Sequence, residues 1–252
     1  VDRSWSESAW RAIAAKRRAF ALRWRGRVRA LFHSEGALLA SRADDWESVL
    51  RGMRPRWRAL LLALWRDAAE HFGTSLASRL GARVDRGRKD LTEDDLPVED
   101  LPPWDYEPWP RSYARRIARL VSRKANEIVD STRRTISRAV SKVEGAVSDV
   151  IASVYSRFQS ARSWFVTDEE THQAASVAEE EAARASGLVT TKTWLTQRDE
   201  RVRASHRNTD GERVPFEDRY SNGLRYPRDP EGPMREIAGC RCYQVFGYSL
   251  PS

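Results

Sequence analysis

Gly187-Leu188-Val189-Thr190-Thr191-Lys192-Thr193-Trp194-Leu195 marks the point at which the periodicity of this chain changes. Ahead of it, apolar residues recur at steps of three and four, the signature of amphipathic helices. From Val189 to Leu195 the spacing reads as a strand. Asp168 to Ala185 reads as a short helix with acids near its start, and Gly187 supplies its stop. Cys242 to Tyr248 reads as a second strand, with turns at Asp210-Gly211, Asn222-Gly223 and Pro227 to Pro230. The expected fold is therefore mainly α with a small α+β C-terminal domain, long amphipathic helices forming arms ahead of a compact mixed domain.

Working outward, Trp10, Ile13, Ala14, Phe20, Ala21, Trp24, Val28, Leu31 and Phe32 give a first helix from Trp5 to about Ala40. Asp44-Asp45 offers a cap for a second, whose stripe of Trp46, Val49, Leu50, Trp57, Leu60, Leu61, Leu64 and Trp65 runs toward Leu80. Pro55 is expected to kink or divide it, and the two segments are expected to pack as an antiparallel pair. From Ile136 through Val140, Val143, Val147 and Val150 to Val154 the steps form a heptad-like seam. A continuous helix from Arg111 to Ser160 would reach roughly 75 Å at about 1.5 Å per residue. The segments expected are 1–84, a basic helical hairpin; 85–110, an acidic proline-rich linker; 111–165, the long helix; and 166–252, the mixed domain. Trp104, Tyr106 and Trp109 in the linker either pack back on the helices or form a docking strip.

Charge follows these segments. The net +8 is made of +9 over 1–84, −6 over 85–110, +8 over 111–165 and −3 beyond. Arginine supplies most of the base, and its planar fork suits phosphate. Arg17, Arg18, Arg23, Arg25, Arg27, Arg29, Arg115, Arg116 and Arg119 are thus candidates for nucleic-acid contact, against the alternative of a solvated or protein-facing basic surface. No run of about 18 apolar residues occurs, so no membrane span is expected. Two cysteines in 252 residues argue against a disulfide-stapled secreted fold and for a reducing cytoplasm during synthesis.

Those cysteines, Cys240 and Cys242, carry the chemistry. On a strand they face one side, and a disulfide between them would close a strained ring. With His206 they offer three ligands to a soft or borderline ion such as zinc, and Asp210, a water or a partner residue would be the fourth. A structural site suits a domain of about 60 residues, which buries little apolar surface. The other reading makes Cys240 and Cys242 small core residues and has His206 held by Asp199 or Asp210. Arg201, Arg203 and Arg207 either face one anion or pair with nearby acids. The deaminase P-C-x2-C, the phosphate-binding glycine loop and H-E-x2-H are missing from the sequence. A cysteine hydrolase built on His206 has thin support, and no enzyme is expected.

The block Trp194, Asp199, Arg201, Arg203, His206, Asp210, Gly211, followed by Pro227-x-Asp229-Pro230 and Cys240-Arg241-Cys242, resembles the bacteriophage minor head protein family, the Mu F-like head morphogenesis proteins. The resemblance spans 188–246, about a quarter of the chain. Where the family carries Arg-Thr-Glu on the preceding helix, this chain has Thr167-Asp168-Glu169-Glu170-Thr171. The resemblance implies a structural protein of the virion head near the portal vertex, assisting head assembly, DNA packaging or genome delivery. Its implied partners are the portal protein, the major capsid protein or other copies of itself, and packaged double-stranded DNA. A non-specific DNA-binding protein is the alternative, and less so a Cys/His-based enzyme or toxin domain.

Overall fold

The computed structural model describes residues 3–80 and 111–248, with side chains from 7 and from 113 onward in the two stretches. The expected linker, with Trp104, Tyr106 and Trp109, lies outside the described residues, as does the side chain of Trp5. The fold is mainly α-helical with a small C-terminal sheet. Its helices are α1 (Arg3–Ser41), α2 (Trp46–Gly52), α3 (Arg54–Ala68), α4 (74–80), α5 (Arg111–Val140), α6 (Val147–Arg157), α7 (Ser163–Ser186), α8 (Ala204–Asn208) and α9 (Met234–Ile237). Its strands are β1 (Val189–Leu195), β2 (Arg213–Pro215) and β3 (Tyr243–Tyr248). No described helix is long and apolar enough to cross a membrane.

The chain forms two compact units that differ from the consecutive segments expected. One is built from 18–66 and 112–171, the other, among the described residues, from 3–17, 67–80 and 172–248.

In the first of these units the elements follow local chemistry, with corrections. Asp45 stands at the start of α2 as expected, yet makes no side-chain cap bond. Pro55 divides the second helical segment: α2 stops at Gly52, and Pro55 falls in the first turn of α3, where its missing N–H costs nothing. The continuous 75 Å rod does not form. α5 ends at Val140 and α6 begins at Val147, because the intervening Lys142, Glu144 and Gly145 favour solvated, irregular chain. Val143, a seam position, is 54 % exposed there, while Ile136, Val150 and Val154 are buried. The helix read as starting at Asp168 starts at Ser163 and is joined to α6 through a π-helical turn, Phe158–Arg162. Its acids are therefore internal: Glu170 accepts a hydrogen bond from the Trp65 indole at 2.9 Å.

A buried carboxylate organises the aromatic core of this unit. Glu35 accepts from the Trp57 indole at 2.7 Å and from the Tyr155 hydroxyl at 2.6 Å. Phe32 packs edge-on to Trp57 and beside Tyr155 and Phe158. Arg162 covers the Phe158 ring and donates to the Ile128 carbonyl and the Ser131 hydroxyl. Gly36 is required for this approach, since a Cβ there would fall 2.6 Å from Tyr155 Cγ.

The other unit holds the sheet, of order β2-β1-β3 with both pairings antiparallel. α7 ends as the sequence predicts, at Gly187 with φ +64°. β1 is central. Val189 and Phe216 pack with Leu76, Leu80, Ala182 and Ala183 in one apolar cluster. A second joins Trp194, Tyr220, Leu224, Ile237, Cys240 and Cys242. Between sheet and α7 lies a buried polar group: Glu180 is 3.6 Å from Lys192 and accepts from Gln244 at 3.0 Å.

Burial pushes the Glu35 carboxyl above its ordinary range, against the Tyr155 and Trp57 hydrogen bonds and Arg162. A carboxyl raised on folding holds its proton more tightly in the folded chain. Its stabilising contribution is full below the unfolded value of 4.5 and is lost as pH rises through the folded one. Glu35→Gln, neutral throughout, is expected to melt at or below wild type below the unfolded value and to gain on it as pH rises above that value. Thermal melts on either side of it test this; a pH-independent difference would contradict it.

Candidate metal centre

β1 delivers Trp194 into the second apolar cluster, fully buried. The Asp210-Gly211 turn brackets it: Gly211, at φ +81°, donates its N–H to the Trp194 carbonyl at 2.9 Å, and the Trp194 N–H reaches the Glu212 carbonyl at 3.0 Å. A side chain at that φ would be strained, which is why the motif carries glycine here. The turn is preceded by α8, which presents His206 edge-on to the Trp194 ring, centroids 5.2 Å apart. α9 and Gly239 then bring in Cys240-Arg241-Cys242.

Three donors meet. His206 Nδ1 lies 3.6 Å from Cys240 Sγ and 3.4 Å from Cys242 Sγ. The ligand atoms all lie within 4.8 Å of one another, and the three residues are at most 2 % exposed. Both cysteines are free thiols. They do not converge by strand alternation, as the sequence suggested. Cys240 to Cys242 precede β3 in irregular chain, where the Cys242 N–H points at Cys240 Sγ, 3.5 Å away. The strand itself starts one residue later than predicted, at Tyr243.

Proton placement within the cluster follows from its neighbours. The hydrogen bond from Cys242, together with His206 and Arg228, holds the Cys240 thiol well below its ordinary range despite burial. Cys242 is pushed up by that same bond and by its own burial, while the Trp194 indole N–H, bonded to no other group, opposes this. The two sulfurs are thus pushed in opposite directions, Cys240 toward the thiolate and Cys242 toward the thiol. The donors fit a soft or borderline cation with thiolate and imidazole ligands, a composition typical of structural zinc sites.

The carboxylates nominated from sequence stand elsewhere. Asp210 is not the fourth ligand: it accepts from the Thr196 N–H at 2.8 Å and from Arg198 at 2.6 Å. Asp199 takes Arg241 at 2.7 Å and the Arg201 N–H at 3.1 Å. Neither holds His206, whose Nε2 lies 3.1 Å from Glu236 on α9. Nor do the motif arginines gather on an anion. Arg203 donates to the Ala238 carbonyl and Arg207 to the Val202 carbonyl, and Arg201 is exposed. Loop carbonyls outcompete acids because irregular buried chain leaves them without backbone partners.

Four further residues were missed by sequence reasoning. Arg228, 2 % exposed and at φ +63°, donates to the Cys240 carbonyl at 2.5 Å. Gln173 on α7 donates to the Arg228 carbonyl at 3.1 Å. Burial, with Arg228 and Arg17 beside it, holds His172 neutral, 3.3 Å from the Tyr243 hydroxyl. Glu236 has no sequence signal at all: it is one acid among 36, some thirty residues from the histidine it faces.

The arginines proposed for nucleic acid divide. Arg17 is corrected: it is 2 % exposed and donates to the His172 carbonyl, Ser176 and Glu179, so no phosphate reaches it. Arg18 and Arg25 lie over the Trp164 ring, Arg23 over Phe20 and Arg27 over Trp24. Arg29, Arg115 and Arg119 are exposed, and Arg116 is half-buried.

Comparison with protein-family models, with curated proteins and with solved structures finds no match for this chain.

Because Arg228 carries the turn that presents Cys240, Arg228→Met should lose the guanidinium bond while keeping the bulk of the stem. A loss of about 2 kcal/mol is expected for a buried charged donor. Urea unfolding measures it, and an unchanged midpoint would show that the carbonyl finds another donor.

Proposed function

We propose that this protein is a structural minor head protein of a tailed bacteriophage, acting at the portal vertex in head assembly, DNA packaging or genome delivery. In this reading His206, Cys240 and Cys242 hold a structural metal, with zinc the best-suited ion, and the protein is not an enzyme. One observation carries it. Of the residues on which the family resemblance rests, Trp194, Cys240 and Cys242 share one buried apolar cluster and His206 packs edge-on to Trp194, which brings three metal-ligand donors together. The enclosure supports a structural role, since a catalytic centre keeps one coordination position open to substrate.

A bound metal would supply what the apolar clusters of a three-stranded sheet do not: a fixed crossing of α8, the Cys240 turn and the start of β3. The exposed Arg29, Arg115 and Arg119 favour the second reading, a non-specific DNA-binding protein, which requires steep weakening of binding with salt. In the head the exposed arginines would face packaged DNA, with portal and capsid subunits as protein partners.

Elemental analysis of the pure chain should return one zinc per molecule. Chelation should lower the melting temperature by about 10 °C, corresponding to roughly 3 kcal/mol for a chain of this size. Cys240→Ser and Cys242→Ser should each abolish uptake, and a protein that binds no stoichiometric metal would remove the centre.

The particle-level test is quantitative mass spectrometry of purified virions, normalised to portal and major capsid subunits. A low and fixed copy number relative to the portal is expected; absence from particles would overturn the head-protein assignment.

A further inference from the structure

We propose that Glu236 is the positioning residue of the metal centre: its carboxylate accepts the Nε2–H of His206, keeps the proton on Nε2 and so leaves Nδ1 free to ligate. The inference rests on the metal-centre reading above. A neutral imidazole that binds a metal through Nδ1 must carry its proton on Nε2. His206 directs Nδ1 at both sulfurs and is 1 % exposed, so the Nε2 proton has no route to bulk water. Left without an acceptor, a buried N–H of this kind is costly.

Glu236 Oε2, 3.1 Å from Nε2, is the ion-pair partner of His206 among the described residues. The oxygen is within hydrogen-bond distance but off the N–H axis, so the proposed bond requires a turn of the ring or the carboxylate. The carboxylate is itself held. Ser205, the residue before His206 on α8, donates its hydroxyl to the same Oε2 at 2.8 Å, and Arg235 Nε lies 3.8 Å from Oε1. The order is thus Ser205 to Glu236 to His206 to the two sulfurs. Because Nε2 is on the far side of the ring from Nδ1, Glu236 acts through the histidine and is not a further ligand. A carboxylate in this place fixes the ring orientation and raises its basicity toward a metal.

Zinc affinity is measured on the full chain by competition with a chromophoric chelator, and the His206 tautomer by 15N NMR. Glu236→Ala should weaken zinc binding by about 10 to 100-fold and move the His206 proton away from Nε2. Glu236→Gln, whose carbonyl still accepts, should fall between the two and carries the test if the alanine variant fails to fold. Wild-type affinity in these variants overturns the proposal, as does weakened binding with the tautomer unchanged, which would mark Glu236 as a mere tie between α8 and α9. Zinc bound equally by wild type and variants sinks the inference alone. A wild-type chain that takes up no zinc sinks the metal-centre reading and this proposal with it.

Discussion

A carbonyl oxygen in buried, irregular chain has to find a donor, and between β1 and β3 arginine is what supplies it. Arg203 serves Ala238, Arg207 serves Val202 and Arg228 serves Cys240. This stretch has almost no regular structure of its own beyond two short helices and the three residues of β2. Its shape therefore depends on guanidinium groups that reach across the chain, and the cluster of His206, Cys240 and Cys242 depends on that shape. The arginine richness that looks from composition like an affinity for phosphate is, in this region, internal wiring.

The helical unit built around Glu35 meets the same requirement with the signs reversed. There the buried group is a carboxylate, and the donors are the indole of Trp57 and the hydroxyl of Tyr155. Glu170 and Trp65 repeat the device. Tryptophan suits the role because one end is a large apolar plate and the other a single N–H, so it fills the core and satisfies an acid together. A buried acid held by neutral donors adds little net stability, but it fixes which aromatic faces which.

Much of the architecture was legible because it rests on local signals. The apolar spacing of α1, the division at Pro55, the stop at Gly187, the β-branched run of β1 and the Asp210-Gly211 turn are each readable within a few residues. So was the meeting of His206 with Cys240 and Cys242, since few residue types can assemble a soft-ligand cluster. What escaped was set by distance or by competition. The valine seam from Ile136 to Val154 keeps its period through Lys142 to Gly145, yet period alone does not outweigh a glycine among solvated side chains, and Val143 faces water. Asp168 to Glu170 looks like a helix start only while the hidden partner of Glu170, Trp65, is unknown. Arg17 sits in a run of exposed bases and differs from them solely because His172, Ser176 and Glu179 lie 155 to 162 residues downstream. Glu236 was invisible for the same reason.

The hydrogen bond from the Trp10 indole to the Arg241 carbonyl spans 231 positions. On a ribosome adding about 5 to 20 residues per second, that separation is roughly 10 to 50 s of synthesis. For that interval the first turns of α1 have emerged while Tyr243, the ring against which Trp10 packs, does not yet exist. The guanidinium of Arg17 waits about two-thirds as long for α7. A nascent chain of this kind carries an uncovered tryptophan face beside an unpaired charge through most of its own translation. Early helix formation and late sheet closure are thereby separated in time.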